Sequence, residues 1–417
     1  MVTVGLALGL MAVALVVTTL VYPYVLNFAR KHGIVDNPNA RKLQRVPVPV
    51  MGGTTVFIGL LVSVVLGYFF IGDNRLLITL ALLFVMYAIG VWDDIKDVSP
   101  FFRFAVEILV VWLMILLLGV EINDFHGLWG IQDVPDSISV PLSLVAGVGI
   151  MNAVNMIDGV DGYCSTYGMM ACIVFGIIFY YAGDMTMFTL ALIGAGAMLP
   201  FFFHNVFGRT SKMFLGDGGS LMLGTLLSLF VFTTLSSNSP CVIYGNDGLS
   251  IVALTLAVLA VPVFDTLKVM IFRVIKGHSP FHADKTHLHH LFIELNYSHL
   301  ATSGIIVTGN VIIIGLMLLA WQLGASVDVQ VYVVIVAALL FTWVFYFLVE
   351  REHRKNDGEG SEFFQRWCKH AGRSLSSTPI WSFIRRVVDS RVLGGRPPVK
   401  EPTPGPQVPN RPDPRIR

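Results

Sequence analysis

RLLITLALLFVMYAIGVWDDIKD, Arg75–Asp97, is the stretch on which the reading of this chain turns. From Leu76 to Trp92 it carries no charge, and it then ends on Asp93, Asp94 and Asp97. A helix needs about 20 apolar residues to cross a bilayer core. Carboxylates inside or beside such a run are costly, so those that persist point to function. The stretch reads as a membrane helix whose end holds acidic groups for a purpose.

The same pattern recurs along the chain. Eleven apolar runs are predicted to span, at roughly 4–27, 50–71, 75–91, 103–120, 138–156, 164–182, 186–203, 219–236, 250–272, 303–323 and 329–349. The fifth is the least regular, because it ends in a polar, glycine-rich motif. Of the 417 residues 55% are hydrophobic and only 13% charged, whereas a soluble chain carries roughly 25% charged residues. The expected fold class is an all-α polytopic integral membrane protein with about 11 transmembrane helices. The four cysteines, Cys164, Cys172, Cys241 and Cys368, form no CxxC pair and no metal spacing, so neither a disulfide framework nor a thiol nucleophile is expected.

Basic residues in the connections orient the spans. Arg30, Lys31, Arg41, Lys42 and Arg45 occupy the first connection and Lys96 the third, with Arg103 just beyond. Arg209 and Lys212 occupy the seventh; Arg273, Lys276 and Lys285 lie at and after the end of the ninth span. Among the even-numbered connections only Arg75 is basic, and the stretch 121–137 has no Lys or Arg. This asymmetry predicts an N-terminus outside, a C-terminus in the cytoplasm and odd-numbered connections on the cytoplasmic face. No Lys or Arg precedes the first run, so it is read as a permanent span, not a cleaved signal.

Two regions are expected: a transmembrane unit over 1–350 and a basic, Pro-rich cytoplasmic tail over 351–417. The tail carries short apolar patches at Phe363–Phe364 and Ile380–Ile384 and reads as polar chain with an interfacial helix. Repeated prolines from Pro397 to Arg417 predict disorder at its end.

Polar residues gather in five clusters: Asp36, Arg41 and Lys42; Asp93, Asp94 and Asp97; Asn152, Asn155, Asp158 and Asp161; Asp217; and His282, Asp284, His287, His289 and His290. They fall in or beside connections one, three, five, seven and nine, hence on one side of the membrane. Structural polar residues scattered by chance would use both sides.

Each cluster has a chemical and a plainer reading. Asp93 and Asp94 put two like charges side by side near a low-dielectric boundary, which a cation or a shared proton relieves. Mg²⁺ suits them, because it takes oxygen ligands, keeps waters and bridges carboxylates to substrate phosphates. The plainer reading is a helix-end pair facing water. In NAVNMIDGVDG, Asn152–Gly162, residues Asn155 and Asp158 share a face if the helix continues; otherwise the motif is a cap and turn. FLGDGGS, Phe214–Ser220, leads glycines into a helix and can offer backbone N–H groups to phosphate, unless Asp217 is simply an N-cap. HADKTHLHH, His282–His290, suits a diphosphate with Lys276 and Lys285 nearby, a zinc ion, or packing. Arg103 either meets a phosphate or snorkels to the interface.

These motifs, in this order and between spans, resemble the polyprenyl-phosphate N-acetylhexosamine-1-phosphate transferases. So do RKHGIVDNPNARK at 30–42 and PVMGG at 49–53, and the resemblance covers about residues 1–350. The last loop is similar to members that use UDP-GlcNAc, and lacks the tight triple-histidine run of the branch that handles UDP-MurNAc-pentapeptide. GDGGS departs slightly from the GDAGS and GDVGS forms of the family, and the tail has no counterpart there.

The resemblance implies transfer of N-acetylhexosamine-1-phosphate, GlcNAc-1-phosphate above others, from a UDP-sugar to undecaprenyl or another polyprenyl phosphate. UMP is released and a lipid-linked glycan is begun. It implies Mg²⁺, with Mn²⁺ able to substitute, held by Asp217 and Asn155. Asp93, Asp94 and Asp97 would act at the reacting phosphate, with Arg103 on the diphosphate or lipid phosphate. Asp158 and Asp161 would shape the nucleotide site, with Asn152 beside them and Asn205 near uridine. His282, Asp284, His287, His289 and His290 would hold the sugar-phosphate end, with Lys276, while Asp36, Arg41 and Lys42 would complete the substrate side. The expected partners are the UDP-N-acetylhexosamine, the polyprenyl phosphate and the bilayer, with no nucleic acid; a homodimer stays open. Rival readings keep the chemistry with another UDP-sugar, or take the chain for an ion-coupled transporter or an inactive scaffold. Transporters place carboxylates at the midplane between repeated halves. Here the carboxylates lie at helix ends, and no repeat is visible.

Overall fold

The computed structural model describes residues 3–36, 47–279, 286–295, 297–355 and 379–390. Within them eleven helices are long and apolar enough to cross a membrane. They are α1 (Val4–Lys31), α2 (Gly52–Ile71), α3 (Asn74–Lys96), α4 (Pro100–Leu118), α5 (Asp136–Met156), α6 (Tyr163–Ala182), α7 (Met185–Phe207), α8 (Gly216–Thr234), α9 (Ile251–Ile275), α11 (His299–Gln322) and a composite last span. That last span runs from α12 (Val327–Leu339) through a π-helical turn at Leu340–Val344 into α13 (Phe345–Lys355). A short helix α10 (Leu288–Glu294) follows α9, and α14 (Pro379–Ser390) lies in the tail region. Two short strands, β1 (Val35–Asp36) and β2 (Val48–Pro49), pair antiparallel after α1.

All eleven expected runs are helices, and the ends differ in ways that matter. Helix α3 continues to Lys96, so Asp93 and Asp94 are on its last turn. Helix α8 begins at Gly216, so Asp217 lies inside its first turn and is neither ahead of the helix nor its N-cap, which is Leu215. Helix α5 stops at Met156, so Asp158 does not continue the face of Asn155. Asn205 is inside α7, which reaches Phe207.

Burial sorts centre from rim: 94% of the α8 span is buried, against 22% for α1 and for α4. Glycine makes the centre possible. A Cβ on Gly90 of α3 would collide with the backbone of Asp217 and Gly218, and one on Gly53 of α2 would collide with Gly219. Helices α2 and α3 therefore touch the first turn of α8 backbone to backbone. The strand pair extends this joint, since Phe214 N–H donates to Pro49 O and Gly52 N–H to Phe214 O, each at 2.8 Å.

Candidate active site

Five helix ends and two loops meet where α8 begins. Asp94 sits on the last turn of α3, and its carboxylate accepts from the backbone N–H groups of Asp217 (3.0 Å) and Gly218 (3.3 Å). Asp158, in the loop after α5, accepts from the N–H of Gly216. The glycine-rich lead therefore does not present these N–H groups to a phosphate: two carboxylates of the chain already hold them. Negative charge at a helix N-terminus is favourable, which explains why acidic residues from two other segments converge there.

Asp93 faces the other way. Its Oδ1 accepts from Val98 N–H at 2.7 Å, and its Oδ2 lies 3.2 Å from Arg103 Nη1. The same Nη1 is 3.3 Å from Asp217 Oδ2, while Nη2 donates to Asn152 Oδ1 at 3.1 Å. Arg103 Nε stands 3.3 Å from Glu107, one turn along α4. Glu107 is buried and takes Asn152 Nδ2 at 2.6 Å. One guanidinium thus links Asp93, Asp217 and Glu107 through contacts from three helices. Asn155 completes the group by donating Nδ2 to Asp217 Oδ1 and to Ser220 Oγ, both at 2.9 Å.

The group has more carboxylates than cations. Asp158, outside the spans, shows the result: burial raises its carboxyl well above the usual range, and Asp217, Asp94 and Asp161 raise it further. Asp161 is in a different position. Burial works against its charge, yet a hydrogen bond from His299 and the charge of Lys212 hold it below the ordinary range. Its Oδ2 lies 2.5 Å from Lys212 Nζ and 2.8 Å from His299 Nδ1.

The side chains around Asp217 are carboxylates and carboxamides, whose oxygens suit Mg²⁺ and not a soft metal. Among the described residues no three His, Cys, Asp or Glu side chains form a ready-made metal cage. Mg²⁺ does not require one, since it keeps waters and takes substrate phosphates as ligands. Asn155 meets Asp217 through its nitrogen. To share a cation with Asp217 its amide must turn end for end, an inexpensive rotation about a broad terminal torsion.

The histidine loop approaches from α9. His287 Nδ1 lies 3.0 Å from Asp265 Oδ2, and Asp265 also takes Lys268 Nζ at 2.7 Å and Leu288 N–H at 3.1 Å. The carboxylate fixes one ring nitrogen and aims the other. His287 Nε2 is buried without a hydrogen-bond partner among the described residues. His289 packs on Gly159, where a Cβ would come within 2.6 Å of its Nε2. Burial first, then His290 and His287, push His289 well below the usual imidazole value, so it is neutral at pH 7. The ring of His290 lies 4.4 Å from that of His289.

The structure gathers Asp93, Asp94, Asn152, Asn155, Asp158, Asp217 and Arg103 into one group, with His287, His289 and His290 on the Gly159 side. Other expected residues stand apart from this group. Asp97 is the exposed, left-handed C-cap of α3 and lies outside the group tied by Arg103. Asn205 is buried, accepts from Gly162 N–H at 2.7 Å and donates to Met213 O at 2.9 Å. It is a tie between two loops and presents neither end to a ligand. Lys276 is exposed at the C-cap of α9, and Asp36 stands on β1. Arg41, Lys42, His282 and Asp284 lie outside the described residues. Glu107, Asp265 and Lys268 were missed by sequence reasoning. Their signal was present, because each is an ionisable residue inside an apolar run.

The sequence profile described as glycosyl transferase family 4 matches residues 76–235. The undecaprenyl-phosphate alpha-N-acetylglucosaminyl 1-phosphate transferase of Yersinia pestis is 30% identical over 277 residues, 65% of this chain and 72% of that protein. The chain belongs to glycosyl transferase family 4. Its Escherichia coli K12 relative of the same name is 28% identical over 285 residues, 67% of this chain and 75% of the relative. A Bacillus subtilis relative, named probable undecaprenyl-phosphate N-acetylglucosaminyl 1-phosphate transferase, is 28% identical over 69% of this chain and 77% of its own length. This family 4 member is thus a multi-pass membrane enzyme, and the names of its relatives place its activity among phosphotransferases. The family match contains the whole carboxylate group, from Asp93 to Asp217, and ends before Asp265 and the histidine loop.

Proposed function

We propose that the protein transfers N-acetylglucosamine-1-phosphate from UDP-GlcNAc to undecaprenyl phosphate at the cytoplasmic face of an inner membrane, releasing UMP. The carrying observation is the carboxylate group itself: Asp93 and Asp217 face one guanidinium at the buried joint of α3, α4 and α8. The names of the relatives support the donor and the acceptor, and the basic odd-numbered connections support the orientation, with the N-terminus outside.

The reaction joins two anions. An oxygen of the lipid phosphate attacks the β-phosphorus of UDP-GlcNAc, the bond from that phosphorus to the bridging oxygen breaks, and UMP leaves with the electron pair. A phosphate with a second pKa near 6 is already mostly dianionic at pH 7, so no strong base is needed. Asp93, fixed through Val98 N–H and Arg103, orients the attacking group. Arg103 offers its guanidinium to the diphosphate in exchange for the carboxylates it now links. His287, aimed by Asp265, serves the sugar-phosphate end through Nε2. Mg²⁺, with Mn²⁺ able to replace it, would be held by Asp217 and the amide oxygen of Asn155, and supplies neutralisation and alignment of the phosphates.

The test uses membranes containing the overexpressed chain, undecaprenyl phosphate, Mg²⁺ and labelled UDP-GlcNAc. The expected result is Mg²⁺-dependent label in lipid with UMP released. Release of UDP instead would overturn phosphosugar transfer. Turnover confined to another UDP-sugar would keep the chemistry and overturn the donor.

A further inference from the structure

Helix α14 is held at both ends against the loop that joins α7 to α8. Near its start Trp381 packs on Phe207, the last residue of α7, ring centroids 4.6 Å apart, and from its middle Arg385 Nε donates to Phe207 O at 3.4 Å. At the other end the Asp389 carboxylate accepts from three successive backbone N–H groups, those of Arg209 (3.2 Å), Thr210 (3.2 Å) and Ser211 (3.1 Å). It also accepts from Ser211 Oγ at 2.9 Å. Consecutive N–H groups converging on one anion form a strong electrostatic cradle. Asp389 lies in the last turn of α14, where a negative charge opposes the helix dipole. Its placement serves the loop and not its own helix.

Between these two ends the packing is incomplete. An apolar cavity of about 280 Å³ separates Phe383, Ile384 and Val388 of α14 from Leu15 of α1 and Phe203 of α7. A ring contact near one end and polar contacts near the other, and not continuous apolar packing, therefore hold the helix in place. The loop it grips leads into the site. Tyr22 OH donates to Ser211 O at 2.9 Å, and Arg30 donates to Thr210 O. The next residue, Lys212, holds Asp161; Met213 O holds Asn205, which in turn holds Gly162. Asp217 follows four residues later.

We propose that α14 is a strap, with Asp389 as a positioning residue that sets Lys212, Asp161 and Gly162 for the nucleotide end of the donor. This rests on the proposed function for its kinetic readout. The contacts of the strap fall on Phe207 and on Arg209–Ser211, away from Asp93, Arg103 and Asp217, so its loss weakens donor binding and spares the chemical step.

The experiment uses full-length protein in lipid nanodiscs, with Asp389→Asn, Asp389→Glu and Trp381→Ala. Docking is read by trypsin cleavage after Arg385 and Arg386, and the state of Lys212 by its acetylation rate, both by mass spectrometry. Asp389→Asn is expected to raise both rates. It should also raise the KM for UDP-GlcNAc and the inhibition constant of UMP together by about tenfold, as loss of one charge-assisted hydrogen bond would give, while kcat changes less than about twofold. Trp381→Ala should reproduce this from the opposite end, and Asp389→Glu should recover part of it. A helix released to trypsin with KM, UMP inhibition and Lys212 labelling unmoved would overturn the strap. So would Asp389→Asn protein as protected as wild type. If wild-type protein turned over no UDP-GlcNAc, the proposed function would fall, while cleavage and Lys212 labelling would still decide the strap.

Discussion

Two groups of buried charge lie within reach of the same loops and are built on opposite principles. Around Arg103, the carboxylates of Asp93, Asp217 and Glu107 share one guanidinium, and Asp94 and Asp158 add further carboxyl groups held by backbone N–H donors. Around Asp265, a single carboxylate is matched by Lys268, His287 and the N–H of Leu288. Lys268 also reaches Thr342 O at 3.3 Å and lies 3.8 Å from the centre of the Tyr346 ring. The second group is closed and ties α9 to the last span and to the histidine loop. The first is left with a surplus of negative charge, which is a cost in the free protein and an invitation to a cation and an anionic substrate. The matched charge is a support that aims His287, while the unmatched group is where substrate charge is met.

The largest expected effect breaks the comparison at its open end. Asp217→Ala should cut turnover by about 10³-fold or more, the scale seen when a preorganised electrostatic group is removed. The thermal midpoint of the purified protein should hold or rise, because one repelling carboxylate is gone. Near-normal turnover would remove Asp217 from the metal site and leave the surplus unexplained.

The closed group should behave in the reverse way. Lys268→Met leaves Asp265 buried without its ammonium, and breaking one partner of a buried pair costs about 3–5 kcal/mol. The thermal midpoint should fall sharply, and the protein that stays folded should retain turnover. Adding Asp265→Asn to Lys268→Met should recover part of the loss, since no lone charge then remains. A stable single variant with lost activity would show that Lys268 works in the chemistry and would merge the two groups.

The sequence made the open group visible and the closed one almost invisible, for a physical reason. Asp93, Asp94, Asn155, Asp158 and Asp217 sit at the ends of apolar runs, where a polar residue stands out by position alone. Glu107, Asp265 and Lys268 are inside the runs Pro100–Leu118 and Ile251–Ile275. Position alone does not mark them, because an apolar run tolerates an occasional charge and still counts as a span. Their partners are distant in sequence: His287 is 22 residues from Asp265, and Asp217 is 114 from Arg103. Asp97 and Asn205 lie beside motifs in the sequence, where a helix cap and a tie between two loops cannot be told from a ligand contact. The apolar patch at Ile380–Ile384 announced a helix in the tail. Nothing in its spacing announced that Asp389 would meet a loop 178 residues away.

A smaller effect tests how the open group is assembled. Backbone fit, as well as charge, brings Asp94 to the first turn of α8, because Gly90 touches Asp217 directly. Gly90→Ala should push α3 from α8 and cost about 1–3 kcal/mol, the usual scale of overpacking. Turnover should drop with it, as Asp94 draws away from the N–H groups of Asp217 and Gly218. An unchanged thermal midpoint would show that the joint gives way easily and that charge alone holds it.

The smallest effect sharpens the contrast inside the histidine loop. Asp265 steadies His287, while His289 has burial and two neighbouring imidazoles against its charge. A buried imidazole with a depressed value stays neutral when folded, yet takes a proton in the unfolded chain once pH drops below about 6.5. The unfolded state then binds more protons than the folded one, so stability rises with pH through that window and is lost as pH falls below it. The slope from this one group is at most about 1.4 kcal/mol per pH unit. Thermal midpoints measured from pH 7.5 to 5 should show an acid limb that His289→Asn flattens. A limb of equal steepness in the variant would assign the acid sensitivity to another group, and not to Asp161, whose carboxyl is held below the ordinary range and loses its bonds to Lys212 and His299 only below about pH 4.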